Sequence, residues 1–188
     1  MVAPSVDGET APLNRGGELV SALQTGFAAI YDEHFAFVWR SLRALGVSES
    51  SLDDASQDVF VVVHRRLSDF EGRSSLKTWL FGIASRVAAN HRRSRQRTSH
   101  DELSSDLVSA DPDPQRQAQQ SEAARFVQAF LGTLSETARA AFAACLLEQM
   151  TVPEAAEALG VNVNTMYTRV RAVRAQFAAA LEAAEGEA

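Results

Sequence analysis

Apolar residues recur at every third or fourth position along most of this chain, and that period is what helices with one buried face require. Leu23, Phe27, Ile30, His34, Val38, Leu42 and Leu45 form the first run, and Gly46 stands where a left-handed cap would end it. Leu52, Ala55, Val59, Val62, Val63 and Leu67 form the second, opened by Ser51 and Asp54 in capping-box spacing. The "VFVVV" within it has strand propensity, but the cap, the spacing and the flanking "HRRL" favour helix. A third helix starts near Ser74 or Ser75 and buries Leu76, Trp79, Leu80, Ile83 and Val87. Further helices are expected around residues 124–131, 137–149, 152–159 and 163–181. No credible strand and no internal repeat interrupts the pattern. The expected fold is therefore all-α: two small helical domains joined by a flexible acidic linker, the C-terminal one a helix-turn-helix.

The linker is read from residues 98–120, where Asp111-Pro112-Asp113-Pro114 blocks regular helix. Residues 1–18 are polar and rich in Gly and Pro, as in a mobile arm. The domains are then 19–97 and 121–182, with a short tail at 183–188. At 46% hydrophobic residues in 188, the composition is that of a chain with a core. No apolar run approaches the ~18 residues of a membrane span, and the N-terminus lacks a secretory pattern. The lone Cys145 fits a reducing cytoplasm, where it serves as core.

Charge is sorted sharply. Gly72–His100 holds Arg73, Lys77, Arg86, Arg92, Arg93, Arg95 and Arg97 without one acid, and "DELSSDLVSADPDP" follows with five acids and no base. A local basic face can act alone although the chain carries a net charge of −6, because a Debye length is only about 8 Å. All the basic residues but Lys77 are arginine. Genome composition accounts for that as readily as phosphate binding does.

The strongest local motif is "TVPEAAEALGVNVNTMYTRVRAVR". Thr151 and Glu154 make a T-x-x-E capping box, and Pro153 sits in the first turn, where its missing N–H costs little. Ala156 is small where two helices must cross, Gly160 supplies the turn, and Asn162 or Asn164 can cap the next helix. Val161, Met166 and Val170 point inward. This is helix-turn-helix spacing, in which the second helix enters the major groove. Its outer face carries Tyr167, Thr168, Arg169, Arg171 and Arg174, with no acid between Ala158 and Leu181. A plain helical hairpin with a solvated arginine face would give a similar local pattern.

Together, "LDDASQDVFVVVHRRLSDFEGRSSLKTWLFGIASRVAANHRR" and "LSETARAAFAACLLEQMTVPEAAEALGVNVNTMYTRVRAVR" resemble the extracytoplasmic-function sigma factors. The resemblance spans about residues 20–97 and 121–181. It implies an N-terminal domain that holds the RNA polymerase clamp and opens the minus-10 promoter element, and a helix-turn-helix that reads the minus-35 element. It implies a flipped-base pocket at the loop Glu71, Gly72, Arg73, Ser74 and Ser75, with Arg86 and Asn90 on the following helix, while Arg92, Arg93, Arg95 and Arg97 track phosphates. Asn164 and Thr165 join Tyr167, Thr168, Arg169, Arg171 and Arg174 on the minus-35 side. Asp54, Gln57, Asp58 and Val61 fall where the family docks on the clamp. Trp79 stacks on a base or belongs to the core, and the acidic linker either threads the polymerase channel or is a tether.

The pattern departs from the family at His64, where tryptophan is common, and at Ala172, where a base is common. The implied partners are core RNA polymerase, promoter DNA and an anti-sigma factor. No cofactor, metal, small-molecule substrate or membrane insertion is expected. A stand-alone helix-turn-helix regulator, or a polymerase-bound adaptor without promoter recognition, are the rival functions. An enzyme is disfavoured, since no G-x-x-x-x-G-K-[ST], G-x-S-x-G or H-E-x-x-H occurs and His91, His100 and Asp101 lack convincing metal-ligand spacing.

Overall fold

The computed structural model of the chain describes residues 26–101 and 122–186, and for residues 96–101 the backbone alone. The arm, most of the linker and the side chain of Arg97 lie outside the described residues. The described residues form seven α-helices in order: α1 Phe27–Ala44, α2 Leu52–Arg66, α3 Leu76–Asp101, α4 Glu122–Thr133, α5 Glu136–Phe142, α6 Val152–Leu159 and α7 Val163–Gly186. Among the described residues there is no strand, and no helix is long and apolar enough to cross a membrane.

In the first half α1, α2 and α3 pack on one another. Val38, Leu42, Leu52, Val59, Val63, Leu80 and Phe81 fill the centre and are all but inaccessible to solvent. The valine run is helical because Val59 and Val63, one turn apart, share the buried face while Val61 points outward. Gly46, at φ 88°, closes α1 as expected. The opening of α2 differs from expectation. Ser48 starts a 3₁₀ turn over Glu49–Ser51, and Ser51 makes no side-chain cap; its hydroxyl instead accepts from that of Ser48 at 3.0 Å.

In the second half α7 packs on α5 and α6. The rings of Phe130, Phe142 and Phe177 stand 5.0–5.3 Å apart and clamp α4, α5 and α7 together. Helix α5 does not run straight to residue 149. It widens into a π turn at Ala143–Leu147 and stops at Gln149, whose φ is 56°. Cys145 is buried in that turn, and desolvation pushes its thiol up. Helix α3 continues four residues past position 97, and α7 passes position 181 to Gly186.

The two helical halves also pack on each other. Helix α3 lies along α6, and the buried residues of both halves form one contiguous cluster. A Cβ added at Gly82 of α3 would stand 2.9 Å from the backbone oxygen of Ala158 in α6. The absence of a side chain there is what allows the two helices so close.

Candidate nucleic-acid and partner interfaces

The loop Glu71–Ser75 leaves the 3₁₀ turn Leu67–Asp69 and feeds α3. Gly72 has φ 68° with open space around it, so its role is conformational. Ser75 caps α3: its hydroxyl accepts from the Thr78 backbone N–H at 3.1 Å and meets the Thr78 hydroxyl at 2.8 Å. Arg73 and Glu71 pair at 3.2 Å on the exposed loop, where solvent weakens such bonds. Trp79 is half-buried with its ring 5.1 Å from that of Phe70, and it packs against the core. The core reading of Trp79 thus holds.

Arg86, Asn90 and Arg93 follow at helical spacing along one exposed stripe of α3. Arg86 lies about 15 Å along the axis from the first residue of the helix, at 1.5 Å rise per residue. Arg93 donates to the Asn90 side-chain oxygen at 2.9 Å and to the Ala89 carbonyl at 3.3 Å, so the pair presents a preformed polar surface. Arg95 is also exposed. Arg92 is not on that stripe, and neither is Arg95, which stands one turn beyond Arg92 and lines a small cleft with it, His91 and Gly46. Arg92 turns to the opposite flank of α3, where its guanidinium donates to the Leu45 carbonyl and to Glu136.

The helix-turn-helix is built as its motif dictates. Thr151 and Glu154 form the full capping box: the Thr151 N–H donates to Glu154 at 2.8 Å, and the Glu154 N–H donates to the Thr151 hydroxyl at 3.4 Å. The Thr151 side chain first, and its backbone second, hold the Glu154 carboxyl below the usual carboxylate range. Gly160 takes φ 65°, and the Val161 N–H reaches back to the Ala156 carbonyl at 2.9 Å. Asn162, rather than Asn164, caps α7, accepting from the Asn164 N–H at 2.9 Å.

Met166, Val170 and Val173 are buried, which fixes the rotation of α7. Asn164, Thr165, Tyr167, Thr168, Arg171 and Arg174 are consequently exposed, with Tyr167 at 55%, and Arg169 is half-buried. The Thr168 hydroxyl is committed to the Asn164 carbonyl at 3.0 Å, leaving its methyl group the freer contact.

On α2, Asp54, Gln57, Asp58 and Val61 form one exposed stripe, with Val61 40% exposed. Beside it lies a groove of about 690 Å³ lined by Tyr31, Phe35, Gln57, Phe60, Val61 and His64. The Tyr31 ring stands 4.6 Å from Phe60 and 5.3 Å from Phe35, and His64 meets Phe27 edge-on at 5.1 Å. The sequence reading missed this aromatic wall. Phe27, Tyr31 and Phe35 recur at intervals of four beside the core stripe, and that second stripe was the available signal. Among the described residues no group of three or more His, Cys, Asp or Glu side chains is placed to hold a metal ion.

Comparison with known proteins agrees along the whole length. Residues 30–98 match the Sigma-70 region 2 family and residues 127–177 the Sigma-70 region 4 family. The RNA polymerase sigma factor NccH of Alcaligenes xylosoxydans xylosoxydans is 30% identical over 191 residues, covering 98% of this chain and all of that protein. CnrH of Cupriavidus metallidurans is 30% identical over 88% of this chain and 92% of its own. The ECF sigma factor SigK of a Mycobacterium species is 30% identical over 77% of each. Among solved structures, CnrH in complex with the cytosolic domain of CnrY superposes with a TM-score of 0.63 at 24% identity, over 89% of this chain and 95% of that one. The sigma factor RpoE of Bartonella quintana, solved with the anti-sigma factor NepR, gives a TM-score of 0.61 at 23% identity, over 81% and 96%. At those identities the structures establish a shared fold.

Proposed function

The chain belongs to the extracytoplasmic-function sigma factors, which direct promoter-specific transcription by RNA polymerase, and on that premise we propose how its surfaces divide the work. Helix α2 docks on the polymerase clamp through Asp54, Gln57, Asp58 and Val61. The loop Glu71–Ser75 with Arg86 and Asn90 captures a base flipped from the minus-10 element, and Arg93, Arg95 and Arg97 follow the strand's phosphates. Helix α7 reads the minus-35 element in the major groove through Asn164, Thr165, Tyr167, Thr168, Arg169, Arg171 and Arg174.

One observation carries this division: the polar stripe of α3 and the outer face of α7 are both exposed and both rich in arginine, although the chain as a whole is acidic. Opening a duplex requires a track for the backbone and a receptor for an unstacked base, and α3 with its loop has the side chains for both. Reading closed duplex requires a rigid helix with exposed donors, which α7 offers. A stand-alone regulator would leave residues 30–98 without a role.

We read the chain as a recognition subunit without chemistry of its own, acting in the cytoplasm where polymerase is. An anti-sigma factor is a further expected partner, by analogy with relatives solved in such complexes. The test is initiation by purified core polymerase on a genomic promoter library, with and without the chain. Specific start sites that depend on the chain are expected. A chain that binds promoters without conferring initiation would overturn the proposal.

A further inference from the structure

Between the two halves, Arg92 makes the most telling contact. On the first half its guanidinium caps α1 by donating to the Leu45 carbonyl, and on the second it pairs with Glu136 at the start of α5. Its side chain is only 18% exposed. A second arginine meets it from the other side. Arg139 donates to the Leu131 and Leu134 carbonyls at 2.9 and 3.1 Å, and it fills the space over Gly46, where a Cβ would collide with its guanidinium. Burial first, and the charge of Arg92 second, press the Arg139 pKa down, while Glu136 acts against them. Two guanidinium groups thus crowd one carboxylate, which Arg92 contacts and Arg139 feels through space, and the joint keeps an excess of positive charge suited to an incoming anion. Elsewhere along the joint, Arg40 of α1 pairs with the nearly buried Glu148 at 3.6 Å, and Gly82 seats α6 against α3.

We propose that this joint is a latch that nucleic acid competes to open: Arg92 belongs to the phosphate track of α3, and the closed chain holds it in store on Glu136 and the Leu45 carbonyl. The proposal rests on the reading of α3 as a strand-binding helix. Arg92 cannot donate to Glu136 and to a phosphate with the same N–H groups. Closing the halves therefore weakens strand binding, and strand binding favours opening by the same factor, because coupling is reciprocal. The free chain stays closed with its cation neutralised, and the opened chain gains one more phosphate contact.

The test uses the full chain in a Cys145→Ala background, with spin labels on cysteines placed at the exposed positions Asp32 and Ala178. Pulsed dipolar spectroscopy reads the distance between the halves. The parent should give one narrow, short distribution. Glu136→Gln removes the negative charge that holds Arg92, and Gly82→Leu wedges α3 from α6 on a different face; both should add a longer population. Both should also bind a single-stranded oligonucleotide of about twelve nucleotides roughly fivefold more tightly, at the low end of measured coupling factors. Arg92→Ala should open the chain without that gain.

A long distance in the parent, or an unchanged narrow one in both Glu136→Gln and Gly82→Leu, overturns the latch. Opening with no gain in affinity overturns the exchange of Arg92 between Glu136 and phosphate. If even the opened forms fail to bind the oligonucleotide, the strand-binding reading of α3 falls and the exchange with it, while the distances still report whether the halves are latched.

Discussion

His91 on α3 and Asp58 on α2 meet at 2.9 Å, ring nitrogen to carboxylate oxygen. The contact joins the helix assigned to the downstream promoter element to the helix assigned to the clamp. Val59 and Val63 behind Asp58, and Val87 and Ala88 beside His91, are buried in the same core. Packed side chains thus connect α2 and α3 at this point.

Reversing charge at that dock should abolish polymerase binding. Gln57→Ala with Asp58→Arg changes two exposed side chains and no core residue, so although it also breaks the contact with His91, helicity should be unchanged by circular dichroism. Charge reversal at an interface costs several kcal/mol. Undiminished co-purification with core enzyme would show that the dock lies elsewhere on the chain.

Arg171→Ala should weaken promoter use through the upstream element alone. Its side chain is exposed beside the buried Val170, so the loss is one of contact and not of fold. A lost base contact is worth about 1–3 kcal/mol. Transcription from paired promoters with intact and scrambled upstream elements measures it. An equal loss on both would place Arg171 outside the base-reading surface.

Ser56→Ala should stabilise the chain. The Ser56 hydroxyl is buried on α2 with no hydrogen-bond partner among the described residues, and alanine is the better helix former. The gain should be about 1 kcal/mol, the lower end of what an unsatisfied buried polar group costs. Urea unfolding checks it, and destabilisation would mean that the hydroxyl has a partner in solution.

Glu154 gives the helix-turn-helix a dependence on acid. Its carboxyl is held below the ordinary range by Thr151, so the ionised form is favoured in the folded state. That contribution is complete above the usual glutamate pKa and disappears as pH falls through the depressed folded value. Glu154→Gln should therefore cost stability near neutral pH, and less in acid below the usual glutamate pKa. Urea midpoints at both pH values decide it; an equal cost at each would assign the effect to something other than charge.

The helix-turn-helix was legible nearly residue by residue because its determinants are local. Thr151, Glu154, Gly160 and Asn162 each act within four residues of themselves, and the structure uses each as its type suggests. Ser51 was misread for a related reason. Its spacing to Asp54 fits a cap, but Ser48 begins a 3₁₀ turn just upstream and takes the Ser51 hydroxyl as its acceptor. The role of Arg92 was hidden differently. Successive residues of a helix stand about 100° apart, so the period of α3 already parts Arg92 from Arg93; what it does not name are the partners at Leu45 and Glu136, far away in sequence. The same distance conceals Gly82 against Ala158, since helical periodicity marks a buried face without naming what covers it.

The account stands most directly on promoter opening by the first half, and permanganate footprinting measures it. Asn90→Ala, assembled with core polymerase, should bind a promoter recovered from the genomic library as closed duplex but leave its downstream thymines unreactive. On a pre-melted version of the same promoter, reactivity and initiation should return in large part, and the preferred base at the flipped position should change, because a flipped base is read by its pocket. Normal opening of the duplex by Asn90→Ala, with an unchanged base preference, would contradict the assignment of melting to α3 and its loop.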